Sequence, residues 1–342
     1  MLIDRRSAAA LLASPFLARR ALADDSVTDS AGRRIVPPTP AQRVFPAGPP
    51  AAIFLYTLAP DLLLGWPRAP SAYDKEFLLP EAAAKPELGR LTGRGDTVNL
   101  ATLLAQKPDL IIDVGSTNRT SVDLAERVQT QTLIPYALLD GRFSGTVETY
   151  RLLGRMLGRE ERASTLAAWC EQGMKTIASR IDAIPEDQRP RVYYARGPRG
   201  LETGPGGSSN VETIEYLGAR NVAGDTRGGL ASVSVEQAVG WNPDVIVAID
   251  PAFAADVRSD PAWAGVKAVS AGRVHLSPRA PFGWMDFPQS VNRMVGLWWL
   301  AKIFYPDKFP EDMRLITRDF YSLFYQVTPS DEQITRVLEG AG

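Results

Sequence analysis

The chain echoes itself. Residues 98–115 read VNLATLLAQKPDLIIDVG and residues 233–250 read VSVEQAVGWNPDVIVAID. Val98 aligns with Val233, Pro108 with Pro243, Asp109 with Asp244 and Ile111 with Ile246, and self-similarity of this length is the mark of a repeated structural unit. In each copy apolar residues recur three to four apart, as Leu100, Leu103 and Leu104 or as Val235, Ala238 and Val239, the spacing of one helical face. Proline then stops the helix, because its ring blocks the next turn of hydrogen bonding. The apolar runs that follow, 110–114 and 245–249, lack a regular polar alternation, which is how a strand covered by helices on both faces reads. Two copies of helix, Pro-Asp turn and buried strand predict an α/β protein with two lobes, each around a parallel sheet.

The remaining segments fit that plan. A long helical stretch at 145–184, with a break near Gly158, carries Ala163, Leu166, Ala167, Cys170, Met174, Ile177 and Ile181 on one face. It predicts a rod linking an N-terminal lobe at 24–144 to a C-terminal lobe at 185–342. Arg191–Ala195 and residues 273–277 read as strands of the second lobe, and residues 43–46 as the first strand of the first, followed by a helix over 50–64. Residues 290–305 and 310–325 predict aromatic-rich helices packed on the second lobe.

Residues 1–23 read as a targeting segment. Arg5 and Arg6 precede an apolar run at 8–18, and Ala21-Leu22-Ala23 has the small residues of a cleavage site. The paired arginines and weakly apolar, Ala-rich middle resemble a twin-arginine export signal. The run is about half the ~20 residues that cross a bilayer, and the lack of a cysteine near the cleavage site argues against a lipid anchor. The expected location is periplasmic.

The 38 basic and 39 acidic side chains almost cancel, giving no electrostatic footprint for nucleic acid. The lone cysteine, Cys170, and lone histidine, His275, disfavour a zinc or multi-histidine site. Cys170 reads as packing on a helix face and His275 as a structural imidazole within a strand. GPGGSS at 204–209 lacks the Lys-Ser/Thr of a phosphate loop. A serine nucleophile would have only His275 as base, with no G-x-S-x-G elbow beside it. No catalytic residue is expected.

With those pieces in order, the sequence resembles the periplasmic binding proteins for iron siderophores, haem and cobalamin. VTDSAGRRIVPPTPAQRVF resembles that family's amino-terminal hairpin and first strand, and DPAWAGVKAVSAGRVHLSP its late helix and strand. PFGWMDFPQSVNRMVGLWWLAKIFYPDKF is similar to a branch that handles iron complexes and, in some members, molybdate-type oxyanions. The resemblance implies Rossmann-like lobes joined by one long helix, a ligand held between them, and delivery to an inner-membrane ABC permease by a monomeric protein without a cofactor of its own. It also implies a docking glutamate on each lobe. Glu236 matches the second-lobe position, whereas Ala101 stands at the first.

In open α/β sheets ligands gather at the carboxyl ends of the strands, and the loops expected there are rich in arginine: Arg94, Arg119, Arg196, Arg199, Arg227 and Arg279. A guanidinium offers a planar, permanently charged donor fork for carboxylate, catecholate or phosphate oxygens. Tyr73, Phe282 and Trp284 are candidates for flat apolar walls. The expected ligand is an iron chelate, with haem, cobalamin and a molybdate-type oxyanion as alternatives. Haem would call on Tyr56 or Tyr73 facing the cleft. A two-lobed chelatase-like enzyme and a sensory binding protein remain as readings of other classes.

Overall fold

A computed structural model describes residues 26–93, 98–226 and 229–340; the targeting segment, Arg94 and Arg227 lie outside them. Each lobe is built on a parallel sheet. In the first, β1 (Val44–Pro46) pairs with β2 (Leu110–Gly115), which pairs with β3 (Tyr136–Asp140). In the second, β4 (Arg191–Ala195), β5 (Arg220–Asn221), β6 (Val245–Ala248) and β7 (Val274–Leu276) lie in the order β7-β6-β4-β5, all parallel. A short antiparallel hairpin, Val27–Thr28 with Arg34–Ile35, precedes β1.

The internal echo is a structural repeat with the same capping and the same anchoring. Asn99 caps helix Leu100–Ala105 and Ser234 caps helix Val235–Trp241, each side chain accepting a backbone N–H from the first turn. Lys107 and Asn242 both take the left-handed conformation, with φ of 50° and 44°, and turn the chain into proline. The aspartate that follows reaches sideways to the neighbouring strand. Asp109 accepts from the Arg43 N–H at 3.0 Å and Asp244 from the Arg191 N–H at 2.9 Å. Pro-Asp thus ends a helix and sets the register of a parallel pair in one move.

Strand residues alternate between two cores, which is why the runs read as continuously apolar. On β2, Leu110, Ile112 and Val114 face the interior shared by both lobes, and Ile111 packs on an outer core with Phe45, Tyr136 and Leu138. On β4 and β6, Val192, Tyr194, Val245 and Val247 face the shared interior, and Tyr193, Ala195, Ile246 and Ala248 face the second lobe's outer core.

The predicted rod is a helix pair. Thr146–Leu157 ends at Gly158, whose φ of 62° suits glycine, and Glu160–Ile181 runs on from there. Gly154 allows the two to meet, since a Cβ there would lie 2.4 Å from that of Ala163. Glu160 and Glu161 in the first turn and Arg180 in the last complement the dipole of the longer helix, which at 22 residues spans about 33 Å.

The chain's end departs from expectation. Helix Met313–Phe320 and the π-helical turn Tyr321–Tyr325 do not rest on the second lobe alone. Their aromatics reach the first lobe and the rod: Tyr321 meets Phe77, Tyr325 meets Tyr56, and Phe324 meets Tyr150 and Trp169. Arg162 on the rod ties the seam, donating to the Thr57 and Leu323 carbonyls at 2.7 and 3.0 Å. Period-3.6 patterning reports that a helix has a buried face, not which partner covers it. The helix over 50–64 also stops early, at Leu58, before Pro60.

Candidate functional site

Strands β4, β6 and β7 all end at one cleft between the lobes. Its second-lobe wall holds Arg196 after β4, Ile249 and Asp250 after β6, and Ser277 and Arg279 after β7, with the turn 283–287 at its rim. The first lobe faces it with Arg68 and a single helical turn, Ala72–Lys75, bearing Tyr73 and Asp74. The enclosed volume is about 600 Å³, within the range of small-molecule sites.

Local sequence explains the walls. Ser71 and Asp74 cap the first-lobe turn reciprocally, so the Asp74 carboxylate is occupied by the Ser71 N–H at 3.0 Å and by Ser71 Oγ at 2.6 Å. Asp250 likewise spends one oxygen on the Ala252 N–H at 3.0 Å. Tyr73 is pinned from behind: its ring packs edge-on against Phe77 and under the Arg336 guanidinium, which in turn donates to Glu76 at 2.6 Å. Its hydroxyl is buried without a hydrogen-bond partner, and burial pushes it above the usual phenol range.

At the floor, Arg196 is buried and already paired. Its Nε lies 3.1 Å from Asp286 and its Nη1 3.2 Å from Glu202. Asp286 also accepts from the Tyr194 hydroxyl at 2.8 Å and from Asn210 Nδ2 at 2.6 Å. Arg196 is therefore neutralised locally, whereas Arg68 forms no ion pair among the described residues and Arg279 is half-buried on the wall.

The structure brings Tyr73, Arg196 and Arg279 together at this cleft; the other described candidates lie elsewhere. Arg119 opens helix Arg119–Thr132 with its side chain 82% exposed and paired to Asp123 one turn on. Arg199 is exposed beyond the cleft wall. Trp284 is wholly buried, and Phe282 packs on Trp66 with ring centroids 5.7 Å apart, so both serve the core. Tyr56 is core as well, its burial pushing the phenol up to about 12. In their place the cleft holds Phe287, whose only sequence signal was an apolar residue stranded in a Gly/Pro-rich loop, and Arg68, Glu202 and Asp286, which carried none.

Glu236 is exposed in the first turn of Val235–Trp241, where backbone and Ser234 hydrogen bonds hold its carboxyl below the usual range. Ala101 is exposed on the equivalent helix of the first lobe. No described helix is long and apolar enough to cross a membrane, and no metal-binding group of histidine, cysteine and carboxylates occurs among the described residues.

Known proteins share both the sequence and the architecture. The chain is 26% identical over 276 residues, 73% of its length and 77% of the relative's, to the molybdate-binding protein MolA of Haemophilus influenzae. An ABC transporter solute binding protein from Sulfurospirillum deleyianum superposes with a TM-score of 0.85 at 30% identity, over 92% of this chain and 99% of that one. Molybdate-bound MolA gives 0.74 at 23% identity, over 89% and 99%, and the TroA-like protein FepB of Veillonella parvula 0.71 at 21%, over 89% and 97%. The periplasmic binding protein profile matches residues 60–280, and the chain belongs to that family, the solute-capturing components of ABC transporters.

Proposed function

We propose that the chain captures an anionic, oxygen-bearing metal species in the interlobe cleft and hands it unaltered to an inner-membrane ABC permease. The observation that carries this reading is the convergence of Arg279, Arg68 and Tyr73 on one cavity at the carboxyl ends of the second-lobe strands. Guanidinium and phenol are donors to anionic oxygen. Similarity to a molybdate-binding protein supports an oxyanion. The cavity of about 600 Å³ is several times larger than a four-oxygen anion needs, and supports a ferric chelate. Docking on the permease is assigned to Glu236, and export to Arg5 and Arg6 by the twin-arginine route.

The test is native mass spectrometry with metal analysis of the protein purified from periplasm, followed by calorimetric titration with molybdate, tungstate, a ferric catecholate and haem. Tight binding of at least one anionic member is expected, with the ligand recovered intact. Failure of all of them, or recovery of a chemically changed ligand, refutes the reading.

A further inference from the structure

We propose that Phe287 is a stacking platform that selects a metal complex with a planar, conjugated face over a bare oxyanion. This rests on the cleft being the ligand site.

Phe287 is out of place for a residue with no contact to make. Its ring is 71% exposed on the cleft wall, and its backbone sits at φ 68°, a left-handed conformation that bulky side chains avoid. The conformation is imposed from below. The Phe287 N–H donates to Asp286 Oδ1 at 2.8 Å, and the buried Asp286 is held by Tyr194, Asn210 and Arg196. The turn closes so tightly that a Cβ on Gly283 would fall 1.7 Å from the Asp286 carbonyl oxygen. A buried network thus fixes an apolar residue with most of its surface in water.

Arg196 shapes what that partner is. Its guanidinium carbon lies 5.3 Å from the Phe287 ring centroid, so one face of the ring meets a cation. The guanidinium covers that face, and the other face is open to an aromatic partner such as an aryl-oxide chelate, which stacks on it in the offset or edge-on arrangement that aromatic pairs prefer. Because Arg196 is already paired with Asp286 and Glu202, it acts as a positioning residue behind the ring. Arg279 and Arg68 line the same cleft and face the anionic oxygens.

The experiment titrates the wild type and the variants F287A, F287L and F287Y with a ferric tris-catecholate and, separately, with molybdate. F287A is expected to weaken chelate binding about tenfold more than it weakens molybdate binding. F287L keeps apolar bulk but no ring and is expected to lose chelate affinity, whereas F287Y restores it. Melting temperatures of the variants should stay within a few degrees of wild type, since the ring's contact within the protein is with the Arg196 guanidinium. Wild-type chelate affinity in F287A, or equal losses for both ligands, overturns the platform. If R279A still weakens binding in that case, the cleft reading survives; if R279A is also silent, the cleft reading falls with it.

Discussion

The Tyr56 hydroxyl donates to the Tyr325 carbonyl oxygen at 2.8 Å, joining residues 269 positions apart. The same hydroxyl accepts the Leu79 N–H at 2.9 Å, and the Tyr325 hydroxyl donates onward to Asn292 at 2.7 Å. Burial raises both phenols, so neither ionises at any working pH. This chain of bonds runs from the first lobe through the terminal segment to the second, within an aromatic interior that includes Phe320 stacked on Phe324 at 4.5 Å. Bonds of this kind between the lobes oppose a wide opening of the cleft, which fits the proposed capture of ligand by small adjustments at its rim.

Replacing Tyr56 with Phe keeps the ring and removes the relay. The Tyr325 carbonyl and Leu79 amide then lose a partner, and Y56F is expected to destabilise the protein by about 1–3 kcal/mol. Urea denaturation, with an unchanged slope and a lower midpoint, measures it. An unshifted midpoint would mean that water or another group takes the place of the phenol.

Arg279→Ala is expected to weaken binding of the anionic ligand at least about tenfold, equivalent to ~1.4 kcal/mol. Arg119→Ala serves as its contrast. The Arg119 side chain is 82% exposed and, among the described residues, pairs with Asp123 on its own helix, and such pairs contribute about 0–1 kcal/mol to stability. Isothermal titration of the two variants should separate them clearly. Equal losses would return Arg119 to the site.

The two halves and their sheets were legible because the Pro-Asp signal carries a mechanism: a proline that stops a helix and a carboxylate that ties one strand to the next, as Asp109 and Asp244 do. Burial of helix faces was legible too, but not every partner, and so the contacts of the terminal aromatics with the first lobe and the rod went unseen. The site was legible only in part. Arg196 and Arg279 followed from their place after strands, whereas Trp284 and Phe282 look in sequence like Phe287. Which aromatic in PFGWMDFP faces water is decided by the backbone at Gly283 and Phe287, and composition does not encode it.

Stability should depend on His275. Burial, reinforced by Arg273 and Arg258, lowers its pKa from 6.5 to about 4. The unfolded chain takes up a proton below pH 6.5 that the folded protein refuses until about pH 4, so this contribution is complete above 6.5 and is lost as pH falls between the two values. His275→Gln is expected to flatten the fall of the urea midpoint across that window. A slope identical to wild type would assign the acid sensitivity to carboxylates instead.

Arg293 offers the sharpest test of the join between lobes. Its guanidinium is almost fully buried, donating to Glu212 at 2.8 Å and to the Gly141 carbonyl at 2.7 Å, while the same Glu212 oxygen accepts the Phe143 N–H at 2.9 Å. Gly141 and Phe143 follow the last strand of the first sheet, and Glu212 and Arg293 belong to the second lobe. Removing the cation alone leaves the Gly141 carbonyl without this donor and the Glu212 carboxylate without its counter-charge, and Arg293→Met is expected to cost about 3–5 kcal/mol. Adding Glu212→Gln removes the stranded charge and should recover part of that loss, because the penalty lies in the unpaired ion more than in the lost bond. Denaturation of the two single variants and the double variant measures the coupling. If R293M and E212Q simply add, the pair is not a unit, and the aromatic seam with its Tyr56 and Arg162 hydrogen bonds holds the lobes without it.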